Sequence, residues 1–143
     1  YTVQTVISNA QSTSAETSGD ESQISGTTIY NMTVAAKTGY IVSGESNNAY
    51  YYGGQQAPTF TLVRGRTYRF NQMDSSNSGH PLLISTNDNN VPAAPYTTGV
   101  TPVGTAGNSG AYTEIVVASD APSTLYYYCS NHANMGGSIN ISG

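Results

Sequence analysis

The sequence predicts an all-β sandwich, and three observations predict it. Short runs of Val, Ile, Thr, Tyr and Phe recur about every ten residues, separated by Gly, Asn, Pro and Ser clusters, as in sandwiches and barrels. No stretch keeps a helical period beyond two turns. The residues that build helical bundles are scarce, with charged residues at only 8% of the chain. Twelve Tyr and no Trp supply large apolar bodies of the type strands prefer. At 143 residues the chain suits one domain.

Each element follows in order. Tyr1 to Ile7 alternates and reads as a strand; Asn9 to Thr28 is Ser-, Thr-, Gln- and Glu-rich with Ile24 as its one sizeable apolar group. Residues 1–28 are therefore expected to form an N-terminal strand and a polar arm or linker, and residues 29–143 the compact domain. Ile29–Ala35 reads as a strand, Tyr40–Ser43 as a short one, and Ala49–Tyr52 as the strand after the turn at Gly44–Asn48. Thr59–Val63 and Thr67–Asn71 flank the turn Arg64-Gly65. Asp74–Gly79 is a polar loop, Pro81–Ser85 a short apolar strand, and Thr86–Gly110 a long Asn-, Pro-, Gly- and Thr-rich loop. Ala111–Ala118, Leu125–Cys129 and Ser138–Ile141 complete the set. Tyr50-Tyr51-Tyr52 is expected to pack two rings inward, and Met32 and Met73 to fill core gaps or strand edges.

Composition excludes whole classes of function. Four basic against eight acidic residues leave no footprint for a nucleic-acid backbone. No apolar run reaches the length of a membrane span. One Cys cannot form an internal disulfide. Phosphate-cradling loops, zinc-protease helices and nucleophile elbows are missing, and the two His are both claimed below, so no general base of the usual kind remains. The chain reads as a binding protein, not an enzyme. A surface rich in Ser, Thr, Asn and Tyr but poor in Lys points outside the cytosol, to a secreted, periplasmic or extracellular place.

Chemistry concentrates in Tyr126-Tyr127-Tyr128-Cys129-Ser130-Asn131-His132-Ala133-Asn134-Met135, which holds the only Cys, one of two His and one of three Met in a C-x2-H-x2-M spacing. A turn after a strand can curl Cys129, His132 and Met135 around one point. His80, in Ser78-Gly79-His80-Pro81, would arrive from a neighbouring strand. Two imidazoles and a thiolate with a weak axial thioether form the donor set of an electron-transfer copper site. Zinc is less favoured, because it prefers four strong donors and rarely takes a thioether. A Met in the fourth position leaves no open site for a substrate.

These residues resemble the C-terminal ligand loop of the cupredoxins, the small blue copper proteins, with spacings most similar to the amicyanin type. Gly79-His80-Pro81 resembles the family's first ligand segment, and Asp120–Thr124 the turn before the ligand strand. The resemblance covers roughly Ile29 to Ile141. It implies a Greek-key β-sandwich, one mononuclear copper held by His80, Cys129 and His132 with Met135 axial, and Tyr128 as a residue on an electron path. It also implies a redox partner protein. Many cupredoxins carry Asn directly after the first His; here Pro81 stands there, and Asn77 or Asn131 is left to tie the two ligand segments together.

A narrower likeness links Asp74–Leu82, Tyr96–Val100 and Tyr126–Gly137 to cupredoxin-like domains of marine bacterial surface proteins and phage virion proteins. This supports an alternative: a structural or decoration module of a virion, filament or cell surface, with copper structural or absent and self-association or capsid and fibre proteins as partners. Copper binding or storage without a redox partner is a third reading. Arg64, Arg66 and Arg69 cluster at one predicted hairpin, as surface charges, an inter-subunit salt bridge or a docking patch.

Overall fold

A computed structural model describes residues 22–24, 26–39, 41, 43–88 and 94–143. Its strands are β1 (Ser22–Ile24), β2 (Thr27–Asn31), β3 (Thr33–Ala36), β4 (Asn48–Tyr52), β5 (Gln55–Gln56), β6 (Phe60–Val63), β7 (Thr67–Asn71), β8 (Leu82–Ser85), β9 (Val100–Val103), β10 (Tyr112–Val116), β11 (Thr124–Cys129) and β12 (Ser138–Ser142). A 3-10 turn, Ser75–Asn77, sits between β7 and β8. The protein is an all-β sandwich. One sheet runs β9-β10-β7-β2-β1, the other β6-β12-β11-β8, and β3-β4-β5 forms a three-stranded sheet beside them. Pairing is antiparallel except between β2 and β7 and between β6 and β12.

Period-two alternation decides which side chains meet. In β7, Tyr68 and Phe70 are buried while Thr67, Arg69 and Asn71 are not. In β6, Phe60 and Leu62 turn inward, and in β11 Leu125 and Tyr127 do. The result is a core of stacked and edge-on rings: Tyr30 against Phe60 at 4.7 Å, Phe60 against Tyr127 at 5.4 Å, and Tyr127 against Tyr50 at 6.1 Å between centroids. Each such pair adds about 0.5–1.5 kcal/mol beyond the area it buries. Two of the tyrosine hydroxyls meet backbone: Tyr127 donates to the Pro58 carbonyl at 2.6 Å and Tyr68 accepts from the Val63 amide at 3.0 Å.

Several expectations change. Among the described residues, Ser22–Ile24, in the stretch read as a polar arm, pairs with Thr27–Ile29. The strand at Tyr1–Ile7 lies outside the described residues. Ile29–Ala35 is two strands, because the chain breaks at Met32, whose side chain drops into the core while its amide donates to the Asn71 carbonyl. Of the short strand read at Tyr40–Ser43, Tyr40 and Val42 lie outside the described residues, and β4 pairs with β3 and β5. The long loop contains β9, an edge strand that carries Pro102 where a central strand could not. Tyr50 and Tyr52 are buried as expected, and Met73 is exposed.

Two of the three arginines at the hairpin are used internally, and Arg66 is exposed. Arg69 pairs with Glu114 at 2.9 Å and lies 4.1 Å over the Tyr112 ring, and Arg64 donates twice to the Ala121 carbonyl. These bonds leave Arg64 and Arg69 tied within the fold instead of forming a free docking patch.

Candidate metal centre

The centre forms where β8 and β11 run out side by side. Their register pairs Cys129 with Leu82, so the residue beyond each strand end meets the other chain segment: the Ser130 amide donates to the Pro81 carbonyl at 3.2 Å. Cys129 is the last residue of β11 and is buried. The chain then turns sharply. The His132 amide donates back to the Cys129 carbonyl at 3.4 Å, and the Asn131 amide donates to the Cys129 sulfur at 3.5 Å. That turn carries the His132 ring over the sulfur.

His80 reaches the same point from the other segment. Its Nδ1 lies 3.7 Å from Cys129 Sγ, and His132 Nδ1 lies 3.5 Å from it. The three donor atoms all fall within 4.8 Å of one another, the one such group of His, Cys or carboxylate side chains among the described residues. An ion about 2.3 Å from a thiolate and about 2.0 Å from an imidazole nitrogen, at angles from tetrahedral to trigonal, holds those donors about 3.5–3.7 Å apart. The observed spacings match that geometry. The two rings stand 4.7 Å apart at 46°, so each can aim its Nδ1 inward without clashing.

Burial is graded across the centre. Cys129 is buried, His80 intermediate and His132 exposed. Burial lowers the pKa of His80, and the neighbouring His132 lowers it further, so the ring stays neutral and able to bind a metal in more acid solution than free imidazole. Met135 is fully buried at the far end of the turn, with its carbonyl accepting from the Tyr50 amide at 2.9 Å. Tyr128 is largely buried, and burial raises its pKa.

The turn from Cys129 to Met135 closes against the core through a glycine. A Cβ on Gly136 would collide with the Tyr127 carbonyl oxygen, so only glycine lets the chain pass this close to β11. The Tyr127 amide then donates to the Gly137 carbonyl at 3.0 Å.

Both asparagines named from the sequence take part, in different ways. Asn131 Nδ2 donates to the Gly79 carbonyl at 3.0 Å and so ties the two ligand segments directly. Asn77 is wholly buried and its Nδ2 donates to the Met32 carbonyl at 2.9 Å, tying the first segment to the sandwich instead. Sequence reasoning missed two further side chains. Tyr50 donates its hydroxyl to the His80 carbonyl at 2.7 Å, and Gln72 Nε2 donates to the same oxygen at 2.7 Å. Burial raises the Tyr50 pKa well above the usual phenol value, and Cys129 beside it raises it further. The only sequence signal for such support was Pro81, whose missing N–H removes one of the bonds that would otherwise fix the segment.

No family model matches the sequence, and no curated protein does. The fold is similar to solved structures of rusticyanin. One, from Thiobacillus ferrooxidans, is 18% identical with a TM-score of 0.43 over 86% of each chain. Reduced rusticyanin is 18% identical with a TM-score of 0.42, over 86% of this chain and 89% of that one. A third, described as a copper protein, is 17% identical with a TM-score of 0.43, over 86% and 87%.

Proposed function

We propose that the protein binds one copper ion in a type 1 centre of the cupredoxin kind and transfers single electrons, with His80, Cys129 and His132 as the strong ligands and Met135 as the weak axial one. The observation that carries this reading is the convergence of one thiol and two Nδ1 atoms, from segments far apart in sequence, at the spacing that one shared ion demands. The donor set favours copper over zinc: it joins a soft thiolate to two imidazoles, and the methionine at the end of the turn is a donor zinc rarely takes. Copper bound there supplies a Cu(II)/Cu(I) couple.

The chain's own residues supply the rest. Cys129 sits at a strand end inside a four-stranded sheet and His80 on a segment bonded into the sandwich, so the donors are held in place before any ion arrives. A donor frame that does not move suits a centre whose charge changes by one. The burial of Cys129 and Met135 keeps water from the inner side, while the exposed His132 offers the shortest approach for a redox partner. Tyr128, next to Cys129, is the proposed inner electron path. The composition of the chain favours work outside the cytosol. Among the described residues no helix is long and apolar enough to cross a membrane.

Titration with Cu(II) tests the reading. An intense visible sulfur-to-copper charge-transfer band is expected at one equivalent. Binding to the folded state alone raises stability by about 2.7 kcal/mol at a hundredfold excess over Kd. Absence of the band, or an unchanged melting temperature, would sink the proposal. A monomer in solution fits a carrier; a large assembly would favour a structural module of a virion or cell surface.

A further inference from the structure

We propose that Gln72 is a positioning residue for His80, and that through it the loop leading into β10 buttresses the first ligand. This rests on the copper reading above. His80 lies outside any strand, between the 3-10 turn and β8, and Pro81 after it has no amide hydrogen. Sheet pairing therefore cannot hold it. Within the segment its amide donates to the Asn77 carbonyl at 2.8 Å, and the rest of its hold comes from other elements.

Gln72 provides them on both sides of the proline. Its Nε2 donates to the His80 carbonyl at 2.7 Å and to Asn77 Oδ1 at 3.1 Å, while its Oε1 accepts from the Leu82 amide at 2.9 Å. One amide thus brackets Pro81, and both of its hydrogens are used. Gln72 is only 3% exposed, so an unmade bond here leaves a desolvated polar group with no water to replace the partner. The geometry is self-consistent: with donor and acceptor ends committed to different residues, the side chain has one orientation.

Gln72 is itself gripped. Its amide donates to the Ala111 carbonyl at 2.9 Å, and its carbonyl accepts from the Gly107 amide at 2.7 Å. Gly107 has a φ of +93°, and a Cβ there would stand 2.8 Å from the Ser78 backbone, two residues before His80. The tail of the long loop therefore presses on the first ligand segment directly at Ser78 and reaches its far side through Gln72. The long loop is thus part of what aims His80.

Replacing Gln72 with Met keeps the shape and removes all three bonds. Gln72→Met is expected to weaken Cu(II) binding by about 10–100-fold and to shift the charge-transfer band, as loss of a ligand's outer partner does. In the metal-free protein, amide exchange at Leu82 should accelerate while that at Asn131 stays unchanged. Ile115→Val, a core truncation in β10, serves as a control that lowers stability without touching the ligand segments. If Gln72→Met keeps the wild-type Cu(II) Kd and band, or its Leu82 amide exchanges no faster, Gln72 only fills space and the proposal is overturned. Wild-type protein that takes up no Cu(II) is a separate result: it removes the copper reading and this inference with it.

Discussion

The two ligand segments solve the same problem in opposite ways. Residues 129–137 carry their donors on one tight turn held chiefly through backbone: the Cys129 carbonyl accepts from the His132 amide, and the carbonyls of Ala133, Met135 and Gly137 accept from the amides of Ser46, Tyr50 and Tyr127. Residues 77–82 carry a single donor; beside the local bond from the His80 amide to the Asn77 carbonyl, they are fixed by side-chain bonds that reach other elements: Tyr50 from β4, Gln72 from just past β7, and Asn77 to the Met32 carbonyl at the break between β2 and β3. A local turn is quick to form and compact in sequence. A frame of side-chain bonds borrowed from other elements couples His80 to the sandwich, so a substitution at Tyr50 or Gln72 acts on its carbonyl directly.

The largest effect comes from removing what both segments share. Cys129→Ser exchanges the soft anionic donor for a hard neutral one, and the charge-transfer band should vanish, with Cu(II) binding weakened by orders of magnitude. Apo stability falls far less, because the hydroxyl replaces a small buried side chain. A retained band would show that the sulfur is not a ligand. Next is Gly136→Ala, which breaks only the local turn. Its Cβ would collide with the Tyr127 carbonyl, which is backbone and cannot swing aside, so the turn must shift at a cost of about 1–3 kcal/mol. Thermal melts should show that loss, and amide exchange should rise at residues 130–137 while Leu82 keeps its protection. Equal loosening of both segments would erase the contrast drawn between them.

The same contrast explains what could be read from sequence. Cys129, His132 and Met135 fall within seven positions, so their spacing alone exposes a ligand turn, and β7 could be bounded at Thr67–Asn71 because strict alternation ends in Asn. His80 was legible as the other available imidazole and through the likeness of Gly79-His80-Pro81 to a ligand segment. Nothing near it in sequence names Gln72 or Tyr50, since those partners are chosen by how β4 and β7 pack. The strand Val100–Val103 was hidden for a related reason: it is an exposed edge containing Pro102, and only its pairing with Tyr112–Ile115 makes it a strand. Met32, read as filling a core gap or a strand edge, is buried and stands at the break between β2 and β3, its amide making the last bond to β7.

A smaller effect probes the Asn131 side-chain bond that crosses directly between the segments. Asn131→Ala removes the donor to the Gly79 carbonyl, and because that side chain is exposed, water can replace it. About 0.5–1.5 kcal/mol of stability is expected to go. Cu(II) affinity should fall only a few-fold, less than in Gln72→Met. The reverse order would mean that the direct tie, not the borrowed frame, sets the position of His80.

The smallest effect is a pH response confined to the borrowed segment. Asp74 caps the 3-10 turn that leads to Asn77, accepting from both the hydroxyl and the amide of Ser76. The Ser76 hydroxyl, then its amide, hold the Asp74 pKa below 3.8, its ordinary value. A depressed carboxylate stabilises the fold above its unfolded pKa and loses that contribution as pH falls through the folded one. The cap is thus intact from neutral pH down to about 4 and is released only in stronger acid. Residues 129–137 contain no carboxylate at all. On acidification through this window the Ser76 and Asn77 amide resonances should therefore move with a midpoint below 3.8, while those of Asn131 and His132 stay still. Asp74→Asn should abolish the transition at Ser76. A midpoint at or above the ordinary value would mean that the cap holds the protonated form equally well, and that the 3-10 turn does not depend on the charge of Asp74.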